Sequence, residues 1–482
     1  MCGKSHHRPS LFGTAVSVSD HGRCGSGRAI FRGIDMRTLA GRVAARFLAI
    51  VFTVAGVSAA ASAQQIQGGP TTPVMSLFVR GVDTAPDASG NYLVVGGQGP
   101  LYAACINAQG TPISGPIPIN ATGGYASFPR AAYSPYLFNG AGGFMVVWAE
   151  APSDPFGNTT RALFARPVHC SGAVGAPQLV SSSTWWEPGN MAIAHSRASQ
   201  NFLVAWQTFP EHTVAARLID LAGAPAGPTV ALSSGLGRDP SVTWNSNQNH
   251  YGVSFSGETY SAFVTIPAWD AAAFTRNTFN VSGGILTTMT DVAFNPYTGL
   301  YVMSWFEISS ALFAKIAEFD AAGNLFTIGV ASSRLGSYDA FSLAINPATG
   351  TFLLAGVDRG LDTPLGLELN VRGFPFNGEN TLSGTRPAYY PRVSSSQVSP
   401  TWNVVFSGGF SSLSSLITTS FAYGGGPAGA HPAPGAPAPA PAPTPAPAPS
   451  SCPGPAPVAG WVCVNGGWLP PDHPLAMSGT PT

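Results

Sequence analysis

Seven short apolar segments decide the fold of this 482-residue chain. Their sequences are Tyr92-Leu-Val-Val, Phe144-Met-Val-Val-Trp148, Phe202-Leu-Val-Ala-Trp206, Tyr251-Gly-Val-Ser-Phe255, Tyr301-Val-Met-Ser-Trp305, Phe352-Leu-Leu-Ala and Trp402-Asn-Val-Val-Phe406. They recur about every 50 residues, with one longer step of about 58, which is the signature of a repeat architecture. Each segment is apolar on both faces and as short as a strand, so each predicts a strand buried between two neighbouring layers.

The flanking sequence places each buried strand second in a four-stranded unit. Turn sequences such as Asn295-Pro-Tyr-Thr-Gly299 and Asn346-Pro-Ala-Thr-Gly350 precede it, and a first strand such as Phe341-Ser-Leu-Ala-Ile345 precedes the turn. A third strand such as Leu312-Phe-Ala-Lys-Ile-Ala317 follows and ends at a glycine turn, and a fourth strand ends the unit. The sequence therefore predicts an all-β fold, a β-propeller of about seven four-stranded blades.

The two ends of the repeat region predict how the propeller closes. The last repeat, from Pro391 to Tyr423, has room for only three strands, and Val74-Met-Ser-Leu-Phe-Val79 offers the missing fourth. A blade completed from both ends of the chain leaves no exposed strand edge where the propeller closes. This fit between the two ends favours seven blades over six. A row of stacked β-sandwich domains is the alternative, but such a domain needs about 100 residues, twice the observed period.

The regions outside the propeller differ in composition. Residues 1–35 are interpreted as a non-native N-terminal extension, and residues 36–63 have the cationic start, short apolar run and small-residue exit of a signal peptide. The propeller is assigned to 64–425, a Pro/Ala-rich linker to 426–451 and a short Cys/Trp tail module to 452–482. We therefore expect a secreted, periplasmic or cell-surface bacterial protein with no transmembrane segment after signal cleavage.

Composition and cysteine positions set further expectations. Only 9% of the residues are charged, with 22 Lys and Arg against 22 Asp and Glu, so no basic surface is expected and nucleic acid is excluded as a partner. Cys452 and Cys463 are expected to form a disulfide that holds the short tail module. For Cys105 and Cys170, both a bond and two separate buried or free thiols remain open, and the sequence favours the two thiols at least as much as the bond.

The repeat also resembles a known class of proteins. The resemblance rests on the segments Phe128-Pro-Arg130 and Tyr390-Pro-Arg392, the Asn-Pro-x-x-Gly turns, the Val-Val-Trp strands and the Ala-Arg strands. Over residues 74–425 the repeat is similar to the propeller repeats of secreted bacterial proteins of unassigned function. The tail resembles short Cys/Gly/Trp modules that end other exported bacterial proteins. The resemblance implies a fold and no catalytic residues.

A set of aromatic and charged residues precedes the first strands and is predicted to gather at one end of the central channel. Exposed rings there would stack on sugars or grip a peptide, and the charged groups would add polar contacts. The alternative is that these rings close the packing between blades. The candidate binding residues are Tyr125, Phe128, Trp185, Trp186, Glu187, Arg238, Asp239, Tyr338, Asp339, Tyr389 and Tyr390.

Signatures of catalysis are weak. The sequence has no Gly-x-Ser-x-Gly elbow and no His-Glu-x-x-His motif, and we expect no metal and no cofactor. Carboxylates predicted at the same end of the channel could form the catalytic pair of a carbohydrate-active hydrolase or lyase. The candidates are Glu150, Asp154, Glu187, Glu211, Asp239, Glu258, Glu307, Asp339, Asp358 and Asp362.

The favoured hypothesis is a non-catalytic module that binds a glycan or an extracellular peptide or protein. A structural envelope protein is the third alternative.

The signal-peptide hypothesis predicts that the exported protein begins near Gln64, after the small-residue sequence Ala61-Ser62-Ala63. N-terminal sequencing of exported material checks this. Material that begins upstream of Met36 would contradict both the assigned start and the signal peptide.

Overall fold

The structure is a computed structural model. It describes residues 67–75, 81–120, 124–151, 161–184, 191–257, 260–279, 286–308, 312–335, 341–358, 363–375, 378–382, 388–408, 413–419, 462–464 and 467–469. Among these residues, no helix has the length and apolar character that crossing a bilayer requires.

Seven antiparallel four-stranded sheets form the blades of a β-propeller. Blades 1 to 3 contain the strands β2 (Val82–Pro86), β3 (Tyr92–Gly97), β4 (Leu101–Ile106) and β5 (Pro112–Pro118); β6 (Tyr125–Ser134), β7 (Gly143–Ala151), β8 (Arg161–Val168) and β9 (Gln178–Thr184); and β10 (Met191–Ser196), β11 (Asn201–Gln207), β12 (Val214–Ile219) and β13 (Val230–Ala231). Blades 4 to 6 contain β14 (Arg238–Asn245), β15 (His250–Ser256), β16 (Ser261–Pro267) and β17 (Thr275–Phe279); β18 (Leu286–Asn295), β19 (Leu300–Ile308), β20 (Leu312–Phe319) and β21 (Leu325–Ser332); and β22 (Ser342–Ile345), β23 (Phe352–Val357), β24 (Pro364–Leu369) and β25 (Asn380–Thr381). Short helical turns lie at Leu137–Gly140 and Ala271–Ala273.

Blade 7 is built from both ends of the repeat region. It contains β26 (Ala388–Ser395), β27 (Thr401–Gly408) and β28 (Leu413–Thr419), and its fourth strand is β1 (Gln67–Met75), which pairs antiparallel with β28. The predicted closure by an N-terminal strand is confirmed, but the strand begins seven residues before Val74 and shares only Val74 and Met75 with the predicted segment, whose remaining residues lie outside those described. The first strands of the blades contact one another in a complete ring, from β2 through β6, β10, β14, β18, β22 and β26 back to β2.

The second strand of each blade forms the core, as the sequence predicts. Trp148, Trp206, Trp305 and Trp402 lie on these strands and are fully buried. Such strands pack between neighbouring blades, so residues of two successive blades share each of the main apolar clusters. Buried aromatic groups of this size dominate the free energy of folding of the domain.

A disulfide between Cys105 and Cys170 resolves the alternative that the sequence left open. Cys105 is a buried residue of β4 in blade 1, whereas Cys170 follows β8 in blade 2. The bond therefore links neighbouring blades. The predicted pair in the tail lies partly outside the described residues: Cys463 belongs to a hairpin of β29 (Val462–Val464) and β30 (Gly467–Leu469), and Cys452 is not described.

Carboxylates join the first strands of successive blades. Asp83 of blade 1 accepts a hydrogen bond at Oδ2 from the backbone N–H of Ala131 in blade 2, with an N–O distance of 2.8 Å. Asp291 of blade 5 accepts one at Oδ2 from the backbone N–H of Leu343 in blade 6, at 2.7 Å. The donors lie on the edges that face the channel, where no further strand can pair with them. The carboxylates thus satisfy a partly buried N–H group, that of Ala131, and a buried one, that of Leu343, which no strand pairs with.

The same contact recurs between blades 4 and 5 in weaker form. The Ser241 hydroxyl oxygen accepts the backbone N–H of Val292 at 3.3 Å, and the hydroxyl donates to Oδ1 of Asp291. Asp239, two residues before Ser241, accepts at Oδ2 the backbone N–H of Met289, three residues before Val292, at 2.8 Å. The donors to Asp83, Ser241 and Asp291 share one offset, because each lies one residue after the equivalent position of the next blade, so these three side chains hold the blades in register.

The interblade contacts predict a large loss of stability on replacing Asp291. Asp291→Ala leaves the Leu343 N–H and the Ser241 hydroxyl buried without an acceptor, so we expect the free energy of unfolding to fall by about 3 kcal/mol. Asp320→Ala is the matched control, because Asp320 also accepts two backbone N–H groups but in an exposed turn, and we expect a loss below about 1 kcal/mol. Urea denaturation of the mature protein measures both. Equal losses would contradict the assigned role of Asp291.

Candidate functional site

The first strands of all seven blades enclose a central cavity of about 300 Å³. Each blade contributes one residue of its first strand to the cavity wall at an equivalent position. This residue pairs with the fourth residue of the apolar segment that forms the second strand, as Asp83 pairs with Val95 and Asp291 with Ser304. We call this set the channel ring. Its members, in blade order, are Asp83, Arg130, Ala192, Ser241, Asp291, Ser342 and Arg392.

Charge is distributed unevenly around the channel ring. Arg392 of blade 7, Asp83 of blade 1 and Arg130 of blade 2 are consecutive, so two guanidinium groups flank one carboxylate. Asp291 and Ser241 lie on the opposite side of the ring, where the hydroxyl donates to the carboxylate. Small side chains, Ala192 and Ser342, separate the two charged regions. The cavity therefore has a cationic side and an acidic side.

Burial dominates the electrostatics of Asp83. It raises the pKa of this carboxyl above its ordinary value, while the charges of Arg130 and Arg392 and the N–H of Ala131 oppose the shift. Burial disfavours a charged carboxylate unless neighbours compensate. Asp83 therefore depends on the two arginines to carry its charge.

Arg130 is also buried, with 7% of its surface exposed. Its Nη1 donates to the carbonyl oxygens of Pro129, at 2.8 Å, and of Val82 in the preceding blade, at 3.4 Å. Burial and the nearby charge of Arg392 lower the pKa of Arg130 to about 9, against the opposing effects of Asp83 and Asp291. The guanidinium is still protonated at neutral pH, and its charge is only partly compensated.

A β-bulge precedes the channel ring in four blades. Phe128, Asp239, Met289 and Tyr390 all have left-handed backbone angles, with φ between 51° and 54°, and each lies two residues before its ring position. Non-glycine residues rarely adopt this conformation, and bulges that contain them re-aim side chains near functional sites. The bulge thus sets the direction in which each ring residue leaves its strand.

The structure separates the candidate binding residues that it describes. Phe128 is only 1% exposed and packs against Gly81 of blade 1, so it serves the packing between blades and offers no surface to a ligand. Tyr125, Arg238, Tyr389 and Tyr390 are half-buried at or near the beginnings of first strands, which meet at one mouth of the channel.

Two further placements complete the set. Asp239 lines the cavity wall, but its carboxylate already accepts the N–H of Met289. Trp185, Trp186, Glu187, Tyr338 and Asp339 lie outside the described residues, so their predicted role stays a prediction.

Most described members of the candidate acid set have structural partners. Glu150 accepts the indole N–H of Trp148 at 2.8 Å and is buried, and Glu307 pairs with Lys315 at 3.7 Å. Asp358 forms an ion pair with Arg334. Glu211 is exposed, and Asp239 is hydrogen-bonded as described above. Asp154, Glu187, Glu258, Asp339 and Asp362 lie outside the described residues.

The channel ring was not among the predicted site residues. Arg130 and Arg392 were visible in the sequence only as parts of the repeated Phe-Pro-Arg and Tyr-Pro-Arg segments. A partial signal exists: relative to the second-strand segments, Asp291 and Arg392 lie at the same offset in the sequence, whereas Asp83 lies one residue nearer and Arg130 four residues farther, because the intervening turns differ in length. Without coordinates, these offsets do not reveal that the residues meet at one cavity.

Comparisons with known proteins assign no family to this chain. No protein-family profile matches the sequence, and no curated protein matches it. Similar solved structures include a lectin from Burkholderia pseudomallei, with 15% identity, a TM-score of 0.47 and coverage of 63% of this chain and 84% of the lectin. Hydrazine synthase from Kuenenia stuttgartiensis has 10% identity, a TM-score of 0.46 and coverage of 72% and 95%. A β-propeller domain from Myceliophteria thermophila has 9% identity, a TM-score of 0.43 and coverage of 74% and 100%. At these values the similarity gives no information on ligand or activity.

Proposed function

We propose that this protein is an exported, non-catalytic binding module that receives its ligand, a glycan or a peptide, in the central channel. The observation that carries the proposal is the cavity of about 300 Å³, whose wall is about half polar and includes the charged side chains of Asp83, Arg130, Asp239, Asp291 and Arg392. Convergent polar groups fix the orientation of a ligand, and about 300 Å³ is at the lower end of the size range of ligand sites. The site therefore suits a single sugar unit or one end of a peptide.

The partners of the acids favour binding over hydrolysis. A catalytic pair needs one carboxyl group free to donate a proton and another free to accept one or to attack. Asp83, Asp239 and Asp291 line the cavity, yet each accepts a backbone N–H from the next blade. These groups hold the blades together, and the same hydrogen bonds restrain them from acting as acid or base.

Filling the channel should abolish binding without unfolding the protein. We expect Ala192→Tyr to weaken binding of a ligand found on a glycan and peptide array by at least about tenfold. The physical reason is that Ala192 occupies a ring position at which blades 2 and 7 accommodate arginine. Ser342→Tyr, on another part of the ring, is a second variant should the first fail to fold.

Ala231→Tyr is the matched control, because Ala231 is exposed on β13, the outer strand of the same blade as Ala192. It should bind as the unmodified protein does, and all three variants should keep its melting temperature within a few degrees. The proposal would be contradicted if the protein bound nothing on the arrays, or if a folded Ala192→Tyr variant bound the ligand as tightly as the unmodified protein.

A further inference from the structure

The cationic side of the channel ring has donors that the fold does not use. Among the described residues, Arg392 has no hydrogen-bond partner and no carboxylate within ion-pair distance, although it is half-buried and lines the cavity. A guanidinium carries five N–H donors, and burying them without acceptors is unfavourable. The Arg392 fork is thus available to a ligand in the cavity.

The local charge balance points to an anion. Arg130 and Arg392 flank Asp83, so this side of the ring has two positive charges against one negative charge. The Asp83 carboxylate is also committed to the Ala131 N–H at 2.8 Å. Repulsion between the two guanidinium groups contributes to the lowered pKa of Arg130. A single negative charge placed beside them would relieve both the excess charge and the repulsion.

The kind of anion follows from size and charge. The excess is one positive charge, and Asp291 and Asp239 on the other side of a cavity of about 300 Å³ would repel a dianion. Arginine forks match the planar geometry of a carboxylate with two parallel hydrogen bonds. A monovalent carboxylate fits these conditions better than a phosphate group.

From these observations we propose that the channel holds the carboxylate of its ligand between Arg130 and Arg392. This rests on the proposed function and names the ligand class for the same site. The carboxylate could belong to an acidic sugar or to the end of a peptide, and the chemistry that Arg130 and Arg392 recognise is the same in both.

The test uses matched acid and neutral probes on the mature protein, measured by calorimetry. The pairs are glucuronate with glucose, and N-acetylalanine with N-acetylalanine amide, with inorganic phosphate as a third probe. We expect at least one acid to bind in the millimolar range or tighter, and its neutral partner to bind at least about tenfold more weakly. The pair that shows this difference identifies the source of the carboxylate.

Substitution of Arg392 localises the effect. Arg392→Gln should weaken binding of the acid by at least about tenfold, and Arg392→Lys should restore part of it, because lysine keeps the charge but loses the fork. Arg197→Gln is the control, because Arg197 is an exposed arginine in the turn between β10 and β11 and does not line the cavity. It should leave binding unchanged.

Three results would overturn the inference: neither acid binds in the millimolar range, phosphate binds better than both acids, or Arg392→Gln binds as tightly as the unmodified protein. The proposed function can fail separately. Suppose that the array reveals a neutral ligand whose binding is lost in Ala192→Tyr and unchanged in Arg392→Gln. The carboxylate inference would then be wrong, and the proposed binding function of the channel would still hold.

Discussion

The hydrogen bond from a backbone N–H on one first strand to the side chain of the preceding blade is the contact on which the rest of this propeller depends. A first strand has a pairing partner on one edge only, and its other edge faces the channel. Asp83 and Asp291 supply acceptors to that edge in Ala131 and Leu343. Because each contact spans two blades, it satisfies the backbone and fixes the spacing of the blades together.

This constraint also shapes the chemistry of the channel. Every blade presents one residue at the channel ring, and in four blades a bulge precedes this residue and sets the direction in which it leaves the strand. Where the residue is Asp or Ser it can join the blades, as Asp83, Ser241 and Asp291 do. Arg392 makes no such contact among the described residues, so its functional groups are available to a ligand. In the proposed function, stability and binding are thus divided among equivalent positions of one repeat.

The fold was largely predictable because its main determinant is local. A buried second strand must be apolar on both faces, and seven such segments, together with the three-strand last repeat, predict the blades and their closure through β1. The disulfide between Cys105 and Cys170 was not predictable from spacing, because it joins different strands of two blades. The burial of Phe128 and the channel ring depend on side-chain directions after a bulge, which no periodicity in the sequence reveals.

Hydrogen exchange at the channel edge tests the central claim most directly. If side chains of one blade hold the first strand of the next, the amides of Ala131 and Leu343 should exchange as slowly as core amides such as that of Val204, although they lie on strand edges that face the cavity. In Asp291→Ala, protection of Leu343 should fall while that of Ala131 remains. Rapid exchange of both amides in the unmodified protein would contradict the account.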